Sequence, residues 1–344
     1  MRAVTFQEPG RVAIEERPEP EPIAADDAVV RVDASGVCGS DLHIYHGRVQ
    51  IEPGFTLGHE YVGTVVAAGD GVTGVSEGDR VLGTFHTACG MCFFCRRGLY
   101  QQCDEARVFG HGATLGSLQG TQAELALVPR ANMTLRRVPE GLSDAAALFA
   151  GDVMGTGYHA VVAAGLQPGD TCAVIGLGPV GLCAVMAARA SGASQVVAVD
   201  TVAERLDTAR ALGAHPVHAT EEDPRAAVKE LTELGGVDVA VEAVGHPAAL
   251  DTAMRLTRKG GTVSVVGVYA ERAEVHMGVF WIKGLRMISG RANVIAHLDS
   301  VLAMLSTGRL DVSPLVSREM SLDDAAEAYE VYDRHEALKI VLRA

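Results

Sequence analysis

Along the 344-residue chain the spacing of apolar positions changes character near residue 155. Before that point, short Val-containing runs such as "DDAVVRVDASG", "YVGTVVAAGDG" and "GDRVLGTF" are broken by Gly, Pro and Asp, which predicts strands and turns of an antiparallel, β-rich domain. After it, strand-like "TCAVIG" leads to helical "PVGLCAVMAARASG", "QVVAVD" to "VAERLDTARALGA", and "VDVAVEAV" to "PAALDTAMRLTRKGG", with "GTVSVVGV" following. Strands that alternate with amphipathic helices are βαβ units, and these predict a parallel sheet covered on both faces. The fold class is therefore α/β: a doubly wound parallel sheet joined to a β-rich second domain. Helical stretches near 296–308 and 321–332 and a final strand-like "ALKIVL" need not belong to the sheet. The acidic "EERPEPEP" reads as a solvated, extended connection.

Thr171 to Ala188 is uncharged and mostly apolar, near the length of a membrane span. Its Gly-x-Gly-Pro core, with a strand signal before it and a helix signal after it, predicts a buried strand-turn-helix instead. The start, MRAVTFQEPG, lacks the apolar run and small-residue cleavage site of a secretory signal, so a cytoplasmic protein is expected. Thiols stay reduced in that compartment. The 29 Lys and Arg against 43 Asp and Glu leave a net charge of -14, without the clustered cations that a nucleic-acid surface needs. Neither a nucleic acid nor a membrane is an expected partner.

"VIGLGPVG" places Gly176, Gly178 and Gly181 as Gly-x-Gly-x-x-Gly, with Pro179 and Val180 opening the helix. After an apolar strand, these glycines allow a tight turn, close approach of a pyrophosphate, and a helix N-terminus aimed at negative charge. The next strand ends in Asp200, nineteen residues beyond Gly181, where a carboxylate can accept bonds from both adenosine ribose hydroxyls and repel a 2′-phosphate. The expected cofactor is NAD rather than NADP. Arg205 is the one nearby residue that could accommodate a phosphate.

Four of the seven cysteines crowd into "CGMCFFCRRGLYQQC". Cys89, Cys92, Cys95 and Cys103 follow Cys-x2-Cys-x2-Cys-x7-Cys, so their thiolates can surround one tetrahedral ion. A structural zinc is favoured; an iron-sulfur cluster, which also takes four thiolates, is the alternative. A zinc saturated by four protein ligands has no position for substrate. Cys172 and Cys183 fall in the expected strand and helix of the nucleotide domain and read as core residues.

Gly58, His59, Glu60, Gly63, Gly69 and Val72 fit GHE-x2-G-x5-G-x2-V, the zinc signature of the medium-chain alcohol dehydrogenases. With Cys38 upstream, the four-cysteine loop and the glycine-rich turn in the family's order, essentially the whole chain resembles that family, and most of all its short bacterial forms and the relatives of formaldehyde dehydrogenase. The resemblance implies a GroES-like catalytic domain over 1–154 and 294–344 and a Rossmann NAD-binding domain over 155–293. It makes Cys38 and His59 ligands of a catalytic zinc, with Asp152, in "GDVMGTGYHA", as the third. A helix N-cap before "VMGTGYHAVV" is the competing reading of Asp152.

In the same way Glu60 becomes an adjacent carboxylate that can bind the metal or back away, and Asp41 a partner for the far nitrogen of His59. Ser40 and His43 become a relay that carries the alcohol proton outward. The implied activity is hydride transfer between an alcohol, or its aldehyde or ketone, and NAD, with one catalytic and one structural zinc per subunit. Polyol, threonine and formaldehyde-processing dehydrogenases share these motifs, whereas the zinc-free quinone and enoyl reductases lack Cys38, His59 and the cysteine set. A homo-oligomer, tetramer or dimer, is expected by analogy, with "GTVSVVGVY" as an edge strand open to pairing. Phe85, Phe109 and Trp281 are candidates to line the pocket, and each reads equally well as core or interface.

Overall fold

In the computed structural model, which describes residues 1–270 and 272–344, the chain divides into Met1–Asp152 with Asn293–Ala344, and Val153–Ala292. The second of these holds a six-stranded parallel sheet. Its spatial order is His215–His218, Gln195–Asp200, Thr171–Ile175, Val237–Glu242, Thr257–Val265, Arg286–Ser289. Val174, Val197, Ala240 and Val263 are fully buried, as strands covered on both faces require. Thr171–Ile175 comes first in the chain yet lies third in the sheet. The chain runs outward from it in one direction and later returns to its other side, creating the switch point at which doubly wound sheets bind ligands.

Two details differ from the expectation. The helix begun by "PAALDTAMRL" stops at Leu256, and Thr257 opens the next strand. Lys283 donates to the carbonyls of Met254, Arg255 and Thr257 and so satisfies the helix end that a run of TRKGG could not extend. Thr257–Val265 is also not the edge. Arg286–Ser289 pairs outside it, a four-residue strand of mixed polarity with no apolar run to announce it.

The other unit is built on a seven-stranded sheet ordered Arg318–Ser321, Ile340–Arg343, Ala28–Val37, Tyr61–Ala68, Arg80–Gly83, Leu135–Arg137, with Leu125–Val128 also paired to Ala28–Val37. All its pairings are antiparallel except the first, Arg318–Ser321 with Ile340–Arg343. Ile340 lies opposite Val37, so the C-terminal strand closes beside the residues that precede Cys38. Val4, Phe6, Ile44, Tyr45, Leu57, Tyr329 and Ile340 form one buried cluster under this junction. Among the described residues no helix is long and apolar enough to cross a membrane.

Candidate functional site

Cys38 follows the strand Ala28–Val37 and caps the helix Gly39–Tyr45. Asp41 is the third residue of that helix, and its Oδ2 accepts the Cys38 N–H at 3.0 Å. Its other oxygen lies 3.1 Å from His59 Nδ1. A carboxylate only accepts, so Nδ1 donates to Asp41, which leaves Nε2 as the nitrogen facing the rest of the group. That nitrogen lies 3.2 Å from Asp152 Oδ2 and 3.3 Å from the Ser40 hydroxyl, while Cys38 Sγ lies 3.6 Å from the same Asp152 oxygen. Asp152 stands at the C-terminal cap of the helix Asp144–Gly151 and turns its carboxylate into this group.

Ligand atoms of Cys38, His59, Glu60 and Asp152 all lie within 4.8 Å of one another, and all four residues are buried. An imidazole, two carboxylates and a sulfur this close and this buried need positive charge among them, which either a proton on the imidazole or a metal cation supplies. Burial would lower the His59 pKa, yet the Asp41 charge and bonds to Asp152 and Asp41 lift it well above its ordinary value. Asp152 is drawn down to about 2 because the His59 bond and charge outweigh burial. Burial and the Asp152 charge push the Cys38 thiol up. Nitrogen, sulfur and oxygen donors in one buried cluster fit a zinc ion.

Glu60 stands behind this set. Its Oε1 accepts from Lys339 Nζ, both side chains being fully buried, and Lys339 also donates to Val37 O at 3.2 Å. Burial, together with the Asp152 charge, raises Glu60 to about 7 against the pull of Lys339. Among the described residues no donor reaches Oε2, which is buried. It rests over Gly36, where a Cβ would stand only 1.9 Å away, so residue 36 must lack a side chain. Neither Lys339 nor Gly36 is singled out by any motif. A lone lysine in the apolar "ALKIVL" is the signal that could have found the first.

The sulfurs of Cys89, Cys92, Cys95 and Cys103 also lie within 4.8 Å of one another, and all seven cysteines are free thiols. Cys89 Sγ and Cys95 Sγ are 4.0 Å apart. That is close to the edge, about 3.8 Å, of a tetrahedron built on Zn–S bonds of about 2.3 Å. Backbone N–H groups of Met91 and Cys92 point at Cys89 Sγ, that of Cys95 at Cys92 Sγ, and those of Cys89 and Glu105 at Cys103 Sγ, at 3.2 to 3.5 Å. Such donors favour thiolates. Cys92 is lowered to about 6, chiefly by the Cys95 N–H, while burial raises Cys95 and Cys103. These residues fit a closed metal cage. Asn293 ties the loop down through Gly98 O at 2.6 Å.

In the parallel-sheet unit, Gly176 adopts φ 88°, and a Cβ on Gly181 would fall 1.8 Å from Gly176 O. Both positions therefore require glycine. Gly178 caps the helix Pro179–Ala190, and a Cβ there would meet nothing. Gly176, Gly178, Pro179 and Val180 remain half-exposed at the carboxyl end of the strand, on the open side of the turn. Asp200 Oδ2 accepts the Leu177 N–H at 2.6 Å, and Oδ1 those of Thr201 and Val202 at 2.7 and 3.0 Å. Arg205 Nη1 lies 3.9 Å from Asp200. The carboxylate thus pins the glycine turn to the neighbouring strand, a role the spacing alone does not reveal. Cys172 and Cys183 are buried in the strand and helix of this unit.

Ser40 and His43 are both half-buried and lie three residues apart on one short helix, hence on neighbouring positions of one face. Phe85 packs edge-on to His59 at 6.4 Å between ring centroids. Phe109 is fully buried against Tyr61 and belongs to the core, and Trp281 is 80% exposed on the helix Met277–Lys283 of the other unit. His111, unnoticed in the sequence, packs beside His59 at 5.1 Å, and burial and the neighbouring His59 charge lower its pKa.

Residues 24–140 match the alcohol dehydrogenase GroES-like domain, and residues 179–306 the zinc-binding dehydrogenase family. The chain is 36% identical to zinc-type alcohol dehydrogenase B of Aspergillus flavus, over 100% of this chain and 81% of that protein. Among solved structures, the alcohol dehydrogenase TADH of Thermus sp. ATN1 is 45% identical with a TM-score of 0.97, covering 100% of this chain and 99% of that one. Zinc-dependent alcohol dehydrogenase 2 of Streptococcus pneumonia, in its apo form, is 34% identical with a TM-score of 0.90, covering 100% and 98%. A GroES-like match at one end, a zinc-binding dehydrogenase match at the other and full-length relatives at this identity show one thing: the chain belongs to the zinc-type, medium-chain alcohol dehydrogenases.

Proposed function

We propose that the protein oxidises an alcohol to an aldehyde or ketone with NAD, and catalyses the reverse, at a zinc held by Cys38, His59 and Asp152. The observation that carries this reading is the buried meeting of those three donors, with Glu60 behind them. When bound, zinc supplies a Lewis acid that makes a substrate hydroxyl acidic, and NAD supplies the hydride acceptor. Three protein ligands leave a coordination position for substrate, whereas the four cysteines, saturating their own ion, hold a lobe in shape. Asp41 holds a His59 proton on Nδ1, so that Nε2 would be the nitrogen that holds the metal. Lys339 holds Glu60 by one oxygen, which keeps its carboxylate beside the set.

Ser40 accepts the substrate proton, since a hydroxyl can donate and accept at once. His43, one turn further and half-exposed, delivers it to water. NAD is the expected coenzyme because the Asp200 carboxylate would repel a 2′-phosphate, with Arg205 as the counterweight. The subunit is read as cytoplasmic, consistent with seven free thiols. It is also read as part of a homo-oligomer, tetramer or dimer. Support for that comes from Met277, Trp281 and Ile282, which stand exposed on the helix Met277–Lys283, just before the outermost strand.

The test is NADH formation by zinc-loaded protein over primary, secondary and polyol substrates, with formaldehyde tried with and without glutathione. Asp152→Ala should abolish turnover and lose the catalytic ion while the cysteine cage stays loaded. Ser40→Ala should lower kcat with zinc and NAD binding intact, and unchanged turnover would remove the relay.

A further inference from the structure

His111 sits in a turn built to aim it. Gly110 and Gly112 on either side have φ of 69° and 68°, a left-handed backbone that glycine alone adopts without strain. A Cβ on Gly110 would stand 2.6 Å from Gly58 O, so the turn is pressed against the residue preceding His59. This packing sets the two imidazoles edge to face, with centroids 5.1 Å apart and planes at 70°. His111 Nδ1 lies 2.8 Å from Phe109 O. A carbonyl oxygen can only accept, so Nδ1 carries the proton and Nε2 is left as an acceptor. Among the described residues nothing donates to it, and the residue is largely buried while keeping some exposure. Phe85, the other ring against His59, offers only apolar surface.

Phe85 and His111 both pack on the His59 ring, so a substrate held beside that imidazole would meet one phenyl surface and one unpartnered acceptor, a pair that discriminates among alcohols. A plain alkyl chain that displaces water from Nε2 leaves that nitrogen without a donor, which is penalised, whereas a substrate carrying its own donor satisfies it. We propose that His111 is a specificity-determining residue: its Nε2 accepts a hydrogen bond from a second hydroxyl next to the one being oxidised, and the site therefore prefers vicinal diols to monohydric alcohols. This rests on the reading of Cys38, His59 and Asp152 as the site of alcohol oxidation. It adds the substrate class that those residues do not specify.

The experiment compares kcat/KM for 1-butanol, 1,2-butanediol and 2-methoxy-1-butanol, the last of which keeps the second oxygen but loses its proton. Zinc-loaded wild type should favour the diol over both others by about tenfold, the scale of one net hydrogen bond. His111→Phe should erase that preference while retaining 1-butanol turnover, and His111→Gln, which keeps an acceptor, should retain part of it. Equal wild-type rates on the diol and its methyl ether overturn the proposal without any variant, as does a parallel fall on all three substrates in His111→Phe at unchanged zinc content. Should His111→Phe fail to fold, the wild-type comparison and His111→Gln decide. Turnover of none of the three removes the alcohol-dehydrogenase reading and the proposal with it.

Discussion

Lys339 and Glu60 form an ion pair from which water is excluded, with both side chains fully buried and the two residues 279 positions apart in the chain. Removing one partner from such a pair leaves an uncompensated buried charge, which typically costs about 3–5 kcal/mol. Lys339→Met should therefore lower the urea midpoint of the protein strongly. Glu60→Gln in the same chain should restore part of the loss, because the charge left without a partner is then gone. Midpoints followed by circular dichroism for the two single variants and the double variant give the coupling directly. Additive losses would mean that the two groups act independently.

Asp41 serves two neighbours with one carboxylate, the Cys38 N–H at 3.0 Å and His59 Nδ1 at 3.1 Å. Asp41→Asn keeps the shape but removes the charge that orients the imidazole and raises its basicity. Loss of such a partner commonly weakens a metal site about 10–100-fold. Titration with a competing chelator should show the Cys38 site releasing zinc at lower chelator concentration than in wild type, with the four-cysteine site unmoved. If both sites lose zinc together, Asp41 is a general stability residue.

The four-cysteine loop allows the opposite experiment. Cys92→Ser removes one sulfur from a group whose backbone N–H bonds already favour thiolates. The zinc-to-protein ratio should fall by about one, and the melting temperature should drop, because metal binding here is also folding energy. Residual protein should keep the Cys38 zinc. A stable variant with unchanged metal content would show that the loop holds its shape without an ion.

What could be seen in the sequence follows from the range over which each signal acts. Cys89 to Cys103 are close along the chain, so spacing alone lets their sulfurs meet whatever the rest of the fold does. Gly176 to Gly181 likewise report a local turn, and the alternation of strand and helix needs only short windows. Lys339 is different. Its place beside Glu60 depends on the pairing of Ile340 with Val37, a long-range event that no local pattern encodes. His111 lies in a glycine-rich stretch with no periodicity, and only the packing of Gly110 on Gly58 brings it to His59. The edge of the parallel sheet was misplaced for a related reason: Arg286–Ser289 has too few apolar residues to stand out, although it pairs along Thr262–Val265.

Asp200 joins two tasks whose separation is measurable. Its oxygens accept the N–H groups of Leu177, Thr201 and Val202, and the same carboxylate stands where an adenosine ribose is expected. Asp200→Asn retains one acceptor oxygen for the turn but removes the negative charge. The bonds a carboxylate offers to ribose hydroxyls are charge-assisted and stronger than those of an amide, so kcat/KM for NAD should fall about tenfold. For NADP the change is reversed in sign: the repulsion of a 2′-phosphate disappears, and Arg205, now 3.9 Å from an opposing charge, becomes available to the phosphate. NADP efficiency should rise even though the melting temperature falls by a few degrees, because the amide NH2 cannot accept one set of the N–H groups that the carboxylate held. A parallel fall for both coenzymes would mean that Asp200 acts only by holding Leu177 and the glycine turn in place, and that coenzyme choice lies with other residues.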